Sequence, residues 1–170
     1  LWCWGDNDPQ GQVGIGNTSQ GNIAIPQQID LPPNRTAISV VYGHDYGCAI
    51  LDNGHGMCWG DNQGAQLGDG TTENRSSPTL ISLVPQNRRL VAIDVGFQTT
   101  CGILDNGSVL CWGRNDVGQF GDGTLTNYSS SVSRYAILPV GRVAVSISVG
   151  QYHACAILDN GDAFCWGSNE

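Results

Sequence analysis

The sequence predicts an all-β chain made of β-propeller blades, each a sheet of four antiparallel strands, and three observations carry that prediction. A unit recurs: Cys48-Ala49-Ile50-Leu51-Asp52-Asn53-Gly54 followed by Cys58-Trp59-Gly60, then Cys101 with Cys111, then Cys155 with Cys165. Its Trp-Gly landmarks fall at Trp4, Trp59, Trp112 and Trp166, in steps of 55, 53 and 54 residues, which suits one blade per step. Within each unit apolar residues alternate at the period of a strand, and glycine-rich runs separate the alternating segments.

The elements of one unit follow in order. A first strand is predicted over Ile38 to Tyr42, Val91 to Val95 and Val145 to Val149, each stopped by a glycine: Gly43, Gly96 and Gly150. A second runs through Cys48 to Leu51, turns at Asp52-Asn53-Gly54 and returns through Met57-Cys58-Trp59, a hairpin signal that the other two units repeat. The turn asparagines Asn53, Asn106 and Asn160 are the midpoints of the cysteine pairs. A three-residue loop therefore sets each pair opposite at a non-hydrogen-bonded site, where α-carbons approach within about 4.5 to 5.5 Å and a disulfide can span them. The expected staples are Cys48 to Cys58, Cys101 to Cys111 and Cys155 to Cys165.

Cys3 occupies the Cys-Trp-Gly of the first unit, and its partner position falls before Leu1, so it is expected to be unpaired in this chain. After each Trp-Gly comes a long glycine-rich connection, Gly5 to Gly16, Gly60 to Gly70 and Gly113 to Gly123, in which one apolar residue can anchor the loop between blades. A fourth strand is placed near Pro26 to Leu31, Pro78 to Leu83 and Ser131 to Ile137. Residues 1–170 thus read as one partial propeller domain whose two ends cut a repeat in the middle.

Composition narrows the function. An apolar content of 40% is enough to bury a core. The net charge of -8 repels phosphate backbones and anionic lipid, which disfavours nucleic acid as a partner. No apolar run approaches the roughly 20 residues that cross a bilayer, so no direct membrane insertion is expected and any export or anchor segment lies outside this stretch.

No catalytic or cofactor constellation emerges. His44 and His55 have no repeat counterpart and no nearby nucleophile at a productive spacing, and His153, at the position of Tyr46 and Thr99, reads as a packing residue. The Cys-x9-Cys spacing lacks the second short pair of a zinc site. Asp61, Asp69, Asp116 and Asp122 lack the dense alternating oxygens of a calcium loop. The glycine-rich runs carry no Gly-Lys-Ser/Thr and open no helix, so they are not phosphate cradles. One tryptophan at the same place in every unit reads as core. Asn17, Asn34, Asn74 and Asn127 head Asn-x-Ser/Thr sequons in loop-like segments, and Asn74 and Asn127 are equivalent residues.

Several stretches resemble the repeats of the regulator of chromosome condensation family: Gly150-Gln151-Tyr152-His153-Ala154-Cys155-Ala156-Ile157-Leu158, the Asp-Asn-Gly turn, the Cys-Trp-Gly stretch, and the loops Gln66 to Thr71 and Gln119 to Thr124. The resemblance covers almost the whole chain and implies a seven-bladed β-propeller of about 380 residues on this period, of which the chain supplies about three blades. It does not bring over the founding member's nucleotide exchange on a nuclear GTPase, because the basic tail is not found here. Nor is the Gly-Trp-Arg-His-Thr motif of the plant ultraviolet-B photoreceptor present.

Paired cysteines in every blade depart from intracellular members and resemble secreted or cell-surface relatives. The expectation is a non-enzymatic, N-glycosylated, extracellular interaction or scaffold module of a secreted, surface or filament-forming protein. Its partners are the missing blades of the same propeller and unidentified proteins. Two other readings stand beside it: a ligand-sensing ectodomain, as in crinkly-type receptor kinases, and a propeller regulator of a GTPase or inhibitor of an enzyme. For the latter, Arg88, Arg89, Tyr128, Arg134 and Tyr135 are candidate contacts.

Overall fold

The computed structural model describes residues 1–7, 9–18 and 21–169, with the backbone alone for 127–130. These residues form strands and no helix. Strands β1 (Trp2–Asp6) and β2 (Asn22–Gln28) pair as a two-stranded sheet. Four strands, β3 (Ala37–Tyr42), β4 (Tyr46–Leu51), β5 (Gly56–Gly60) and β6 (Arg75–Leu80), make a sheet in sequence order. The next sheet has the same order: β7 (Leu90–Val95), β8 (Thr99–Leu104), β9 (Val109–Asn115) and β10 (Thr126–Tyr135). A three-stranded sheet of β11 (Ala144–Val149), β12 (His153–Leu158) and β13 (Ala163–Gly167) completes the described set. Every pairing is antiparallel. This is the meander of propeller blades.

The central hairpin is the most buried part of the two four-stranded blades, since every residue of β4, β5 and β8 is buried. Its turn closes with Leu51 N–H donating to the His55 carbonyl and Gly54 N–H to the Leu51 carbonyl, and the other blades repeat this at Leu104 and Leu158. That register puts Cys48 opposite Cys58, Cys101 opposite Cys111 and Cys155 opposite Cys165, each with α-carbons 4.1 Å apart. All three pairs are disulfide-bonded.

The outer strands begin earlier than the sequence pattern indicates. β2 ends at Gln28 and β6 at Leu80, about three residues short of the expected ends. The reason is pairing: Gly60 opposes Arg75 and Met57 opposes Leu80, with the ladder broken between Cys58 and Gly60. Pro78, which has no N–H to give, sits on this edge strand beside the bulge, where it costs no ladder bond. The glycine after each tryptophan makes the bulge. Gly60 and Gly113 have φ of 103° and 98°, and a Cβ there would lie 2.4 and 2.3 Å from the Asp45 and Gln98 carbonyl oxygens.

Successive sheets pack face to face through their inner strands, β7 against β3 and β4, and β11 against β7 and β8. Three apolar clusters result. One joins Cys3, Val13 and Ile23 to Ala49 and Trp59; the next joins Cys48, Cys58 and Leu67 to Val95, Leu104 and Trp112; the last joins Cys101, Cys111 and Phe120 to Val149 and Ala154. The Cys48–Cys58 and Cys101–Cys111 disulfides are thus covered by the following blade, whereas Cys155 is half-buried and Cys165 exposed. Trp59 and Trp112 are fully buried, whereas Trp4 is 63% exposed, so the core reading holds only where a blade precedes the tryptophan. His153 lies with its ring against Gly150 and is exposed on the side of β12 that no sheet covers among the described residues; its counterpart Tyr46 lies against Gly43, is buried, and donates to the Thr99 carbonyl at 2.8 Å.

Candidate functional site

Strand direction divides the connections between two faces. Inner strands run from the face of the Asp-Asn-Gly turns toward the face of the long loops, so residues 43–45, 60–74, 96–98, 113–125 and 150–152 share one end. Residues 29–36, 52–55, 81–89, 105–108 and 136–143 share the other.

The loop face is built by one device used three times. The asparagine of Trp-Gly-x-Asn is buried, and its side chain holds the loop that follows. Asn62 Oδ1 accepts from Leu67 N–H at 3.0 Å, while Nδ2 donates to the Thr71 and Glu73 carbonyls at 3.1 and 3.0 Å. Asn115 does the same with Phe120 N–H and the Thr124 carbonyl, at 2.8 and 3.1 Å, and Asn7 with Val13 N–H and the Asn17 carbonyl, at 3.1 and 2.8 Å. The clamped loop then receives the next blade's tryptophan. Trp59 Nε1–H donates to the Gln12 carbonyl at 3.0 Å, Trp112 to Gln66 at 2.9 Å and Trp166 to Gln119 at 2.7 Å. Gly14, Gly68 and Gly121 lie against these indoles, where a Cβ would come within 2.6 to 2.8 Å of the ring. Loop anchor, tryptophan and glycine form an interblade lock.

Above that common base the threonine bond repeats, Thr124 on Asp122 at 2.7 Å as Thr71 on Asp69, while the arginine pairs differ from blade to blade. Asp69 takes Arg75 Nε–H at 2.7 Å and the Thr71 hydroxyl at 2.8 Å. Burial works to raise the Asp69 pKa, but the bonds from Thr71 and Arg75 outweigh it and hold the carboxyl below the ordinary aspartate range. The next blade has no arginine at the position of Arg75; Arg114 stands where Asp61 stood and pairs with Asp116. Hydrogen bonds from Arg114 are the main cause that lowers the Asp116 pKa. Near the axis His44 meets Phe97 edge-on, with ring centroids 5.3 Å apart, beside a cleft of about 330 Å³ lined also by Gly96, Val149 and Gln151. The acids of this face, Asp6, Asp45, Asp61, Asp69, Glu73, Asp116 and Asp122, outnumber its arginines, Arg75 and Arg114.

The turn face repeats its chemistry. Each blade is entered by a Pro-x-x-Arg turn in which the arginine N–H donates to the proline carbonyl: Arg35 to Pro32, Arg88 to Pro85 and Arg142 to Pro139. The same arginines pair with the aspartates of the hairpin turns, Arg35 with Asp52 at 3.5 Å, Arg88 with Asp105 at 3.3 Å and Arg142 with Asp159 at 3.5 Å. A bulge at the start of each inner strand turns Ile38, Val91 and Val145 outward. With Arg89 added, acids and arginines nearly balance here, so the net charge of the chain belongs to the loop face.

The predicted site residues sit as follows. Of the six paired cysteines, Cys48, Cys58, Cys101 and Cys111 are fully buried between blades, Cys155 is half-buried and Cys165 is exposed. Cys3, on β1 at the position of Cys58, is buried and free and accepts the Tyr42 hydroxyl at 2.7 Å. Burial pushes its thiol pKa up, with the Tyr42 bond opposing, which keeps it a poor nucleophile. Asn34 is exposed on the turn face; Asn74 is exposed on the loop face, its Oδ1 accepting Asn62 N–H at 2.9 Å. Asn17 is half-buried. The side chains of Asn127 and Tyr128 lie outside the described residues. Among the described residues no three His, Cys, Asp or Glu side chains gather as a metal site.

Sequence reading passed over Asn7, Asn62 and Asn115, although Trp-Gly-x-Asn recurs four times, and it passed over the Pro-x-x-Arg turns. Arg88 is among the candidate partner contacts. The structure makes it one of three equivalent ion-paired arginines.

Repeating, disulfide-linked four-stranded sheets locked to one another through a tryptophan define a β-propeller of modular blades. Models of the regulator of chromosome condensation (RCC1) repeat match residues 1–50 and 57–103, and again 90–119 and 144–170, and the chain belongs to that family. It is 29% identical over 156 residues to the E3 ubiquitin-protein ligase HERC2 of Homo sapiens, covering 92% of this chain and 3% of that protein. The structure of Prp20 from Saccharomyces cerevisiae superposes with a TM-score of 0.78 at 21% identity, covering 99% of this chain and 41% of the other. The ectodomain of the receptor kinase CR4 of Physcomitrella patens gives a TM-score of 0.53 at 25% identity, covering 78% and 30%. The chain therefore spans well under half the length of these relatives.

Proposed function

We propose that this chain is part of a non-enzymatic extracellular propeller, a disulfide-stapled and N-glycosylated interaction or scaffold module of a larger secreted, cell-surface or filament-forming protein. The single observation that carries the reading is the recurrence of one hairpin disulfide at the same register in three blades. Such bonds persist in oxidising compartments and are reduced in the cytosol. Further blades of the same kind complete the ring; the other half of the first blade's hairpin supplies the partner of Cys3, and a preceding blade covers Trp4. Protein partners are the class that fits the propeller, as the structural work on yeast Prp20 describes binding to Gsp1p and histones for that protein. The varied loop face, not the repeated turn face, is where such a partner is read.

The likeness to the CR4 ectodomain favours one second reading, a ligand-sensing receptor ectodomain, which shares the extracellular placement. A membrane-impermeant label applied to intact cells making the tagged full-length protein tests both. Labelled protein at the surface, or unlabelled protein in the medium, is the expected result; protein confined to the cytosol rejects the extracellular placement.

A further inference from the structure

We propose that the folded blades carry N-linked oligosaccharide at two defined places, Asn34 on the turn face and Asn74 on the loop face, and exclude it from Asn17. The inference rests on the extracellular reading and goes beyond it by separating sequons that are alike in sequence. In the transfer step the side-chain nitrogen attacks the anomeric carbon of a lipid-diphosphate-linked oligosaccharide. The carbon–oxygen bond to the diphosphate breaks, the nitrogen–carbon bond forms, and the amide proton leaves with the diphosphate. The sugar is attached to Nδ2, so a site survives folding only where that nitrogen points to solvent.

Asn34 meets the condition at a turn tip. It holds φ of 59°, a left-handed conformation that asparagine tolerates, inside the turn closed by Arg35 N–H to the Pro32 carbonyl, and it is exposed. Asn74 meets it differently. Its Oδ1 is fixed inward on Asn62 N–H while the residue stays exposed, which directs Nδ2 outward and leaves the loop clamp intact after glycosylation. Asn17 fails. The residue is half-buried where the other two are exposed, its Oδ1 is enclosed and its main-chain carbonyl is held by Asn7, so it lacks the clearance an attached sugar needs.

The next blade contains an internal control. Asn87 is exposed in the equivalent turn, closed by Arg88 N–H to the Pro85 carbonyl, but Arg89 stands where Thr36 supplies the sequon hydroxyl. The closing bond and the exposure are shared, the left-handed φ of Asn34 is not, and the acceptor signal is missing. Arg89→Thr therefore adds one glycan, at Asn87.

The full-length protein, secreted from a eukaryotic cell, is treated with peptide N-glycosidase in heavy-oxygen water and its peptides are weighed. Labelled Asn34 and Asn74 with unlabelled Asn17 is the expected result. Ser76→Ala loses one glycan without lowering the melting temperature, whereas Asn74→Ala loses the glycan and lowers it, which separates modification from clamping. Bare Asn34 and Asn74 in a protein with intact disulfides overturns this inference alone, as does occupied Asn17 or an Arg89→Thr variant that gains nothing. Bare asparagines together with free thiols overturn the extracellular reading as well.

Discussion

The two faces of the propeller are built from the same blades and follow opposite rules. On the turn face each blade repeats its neighbour, with Arg35 on Asp52, Arg88 on Asp105 and Arg142 on Asp159. On the loop face a base repeats, namely the asparagine clamp, the tryptophan bond and the threonine bond to Asp69 or Asp122. Above it Arg75 on Asp69 gives way to Arg114 on Asp116, and His44, Phe97 and Gln151 occupy equivalent loops with different chemistry. A feature that recurs in every blade answers a need of every blade. Side chains that change from one blade to the next are free of that need, and they are also where the negative charge collects.

The comparison breaks most clearly at the locks beneath the loop face. Trp112→Ala removes a fully buried indole and its bond to Gln66, and a loss of about 3 to 5 kcal/mol is expected in chemical denaturation. Arg88→Ala, on the other face, changes a half-exposed ion pair and should cost no more than about 0.5 kcal/mol. Equal effects would mean that the two faces are not built differently. Between these limits, replacing Cys101 and Cys111 together by alanine frees a loop of separation 10 in the unfolded chain and should cost about 2 to 3 kcal/mol. Asn115→Ala leaves Phe120 N–H and the Thr124 carbonyl without their partner in a buried setting, for about 1 to 3 kcal/mol.

Acid sharpens the contrast further. The Asp69 and Asp116 pKa values are depressed in the folded state, so their contribution is fully present above the unfolded aspartate pKa near 3.8 and is lost as pH falls through the lower folded values. Unfolding monitored from pH 6 down to about pH 2 should therefore show a stability decline below the ordinary aspartate range, and Asp69→Asn should flatten it. An unchanged slope would remove the loop-face carboxylates from the stability account.

How much of this was legible in the sequence depended on distance along the chain. The hairpin was readable because its cysteines, turn and alternation lie within eleven consecutive residues, and the period made three copies visible. The outer strand was misplaced by about three residues because its register is set by a bulge opposite Gly60, which no alternation pattern records. The interblade lock spans 46 or 47 residues between indole and carbonyl, so nothing local announced it. The Trp-Gly-x-Asn and Pro-x-x-Arg motifs were present in plain view but are made of common residues, and only the hydrogen bonds gave them a reason. His153 sets its ring against Gly150 as Tyr46 does against Gly43, and how far it is buried depends on a neighbouring sheet rather than on its own strand.

The most direct measurement is alkylation of the full-length protein taken from its native source, before and after reduction, followed by peptide mass analysis. The account predicts that Cys48, Cys58, Cys101, Cys111, Cys155 and Cys165 resist alkylation until reduced and that linked peptides join each pair across its own hairpin. Alkylation of all six without reduction would contradict it.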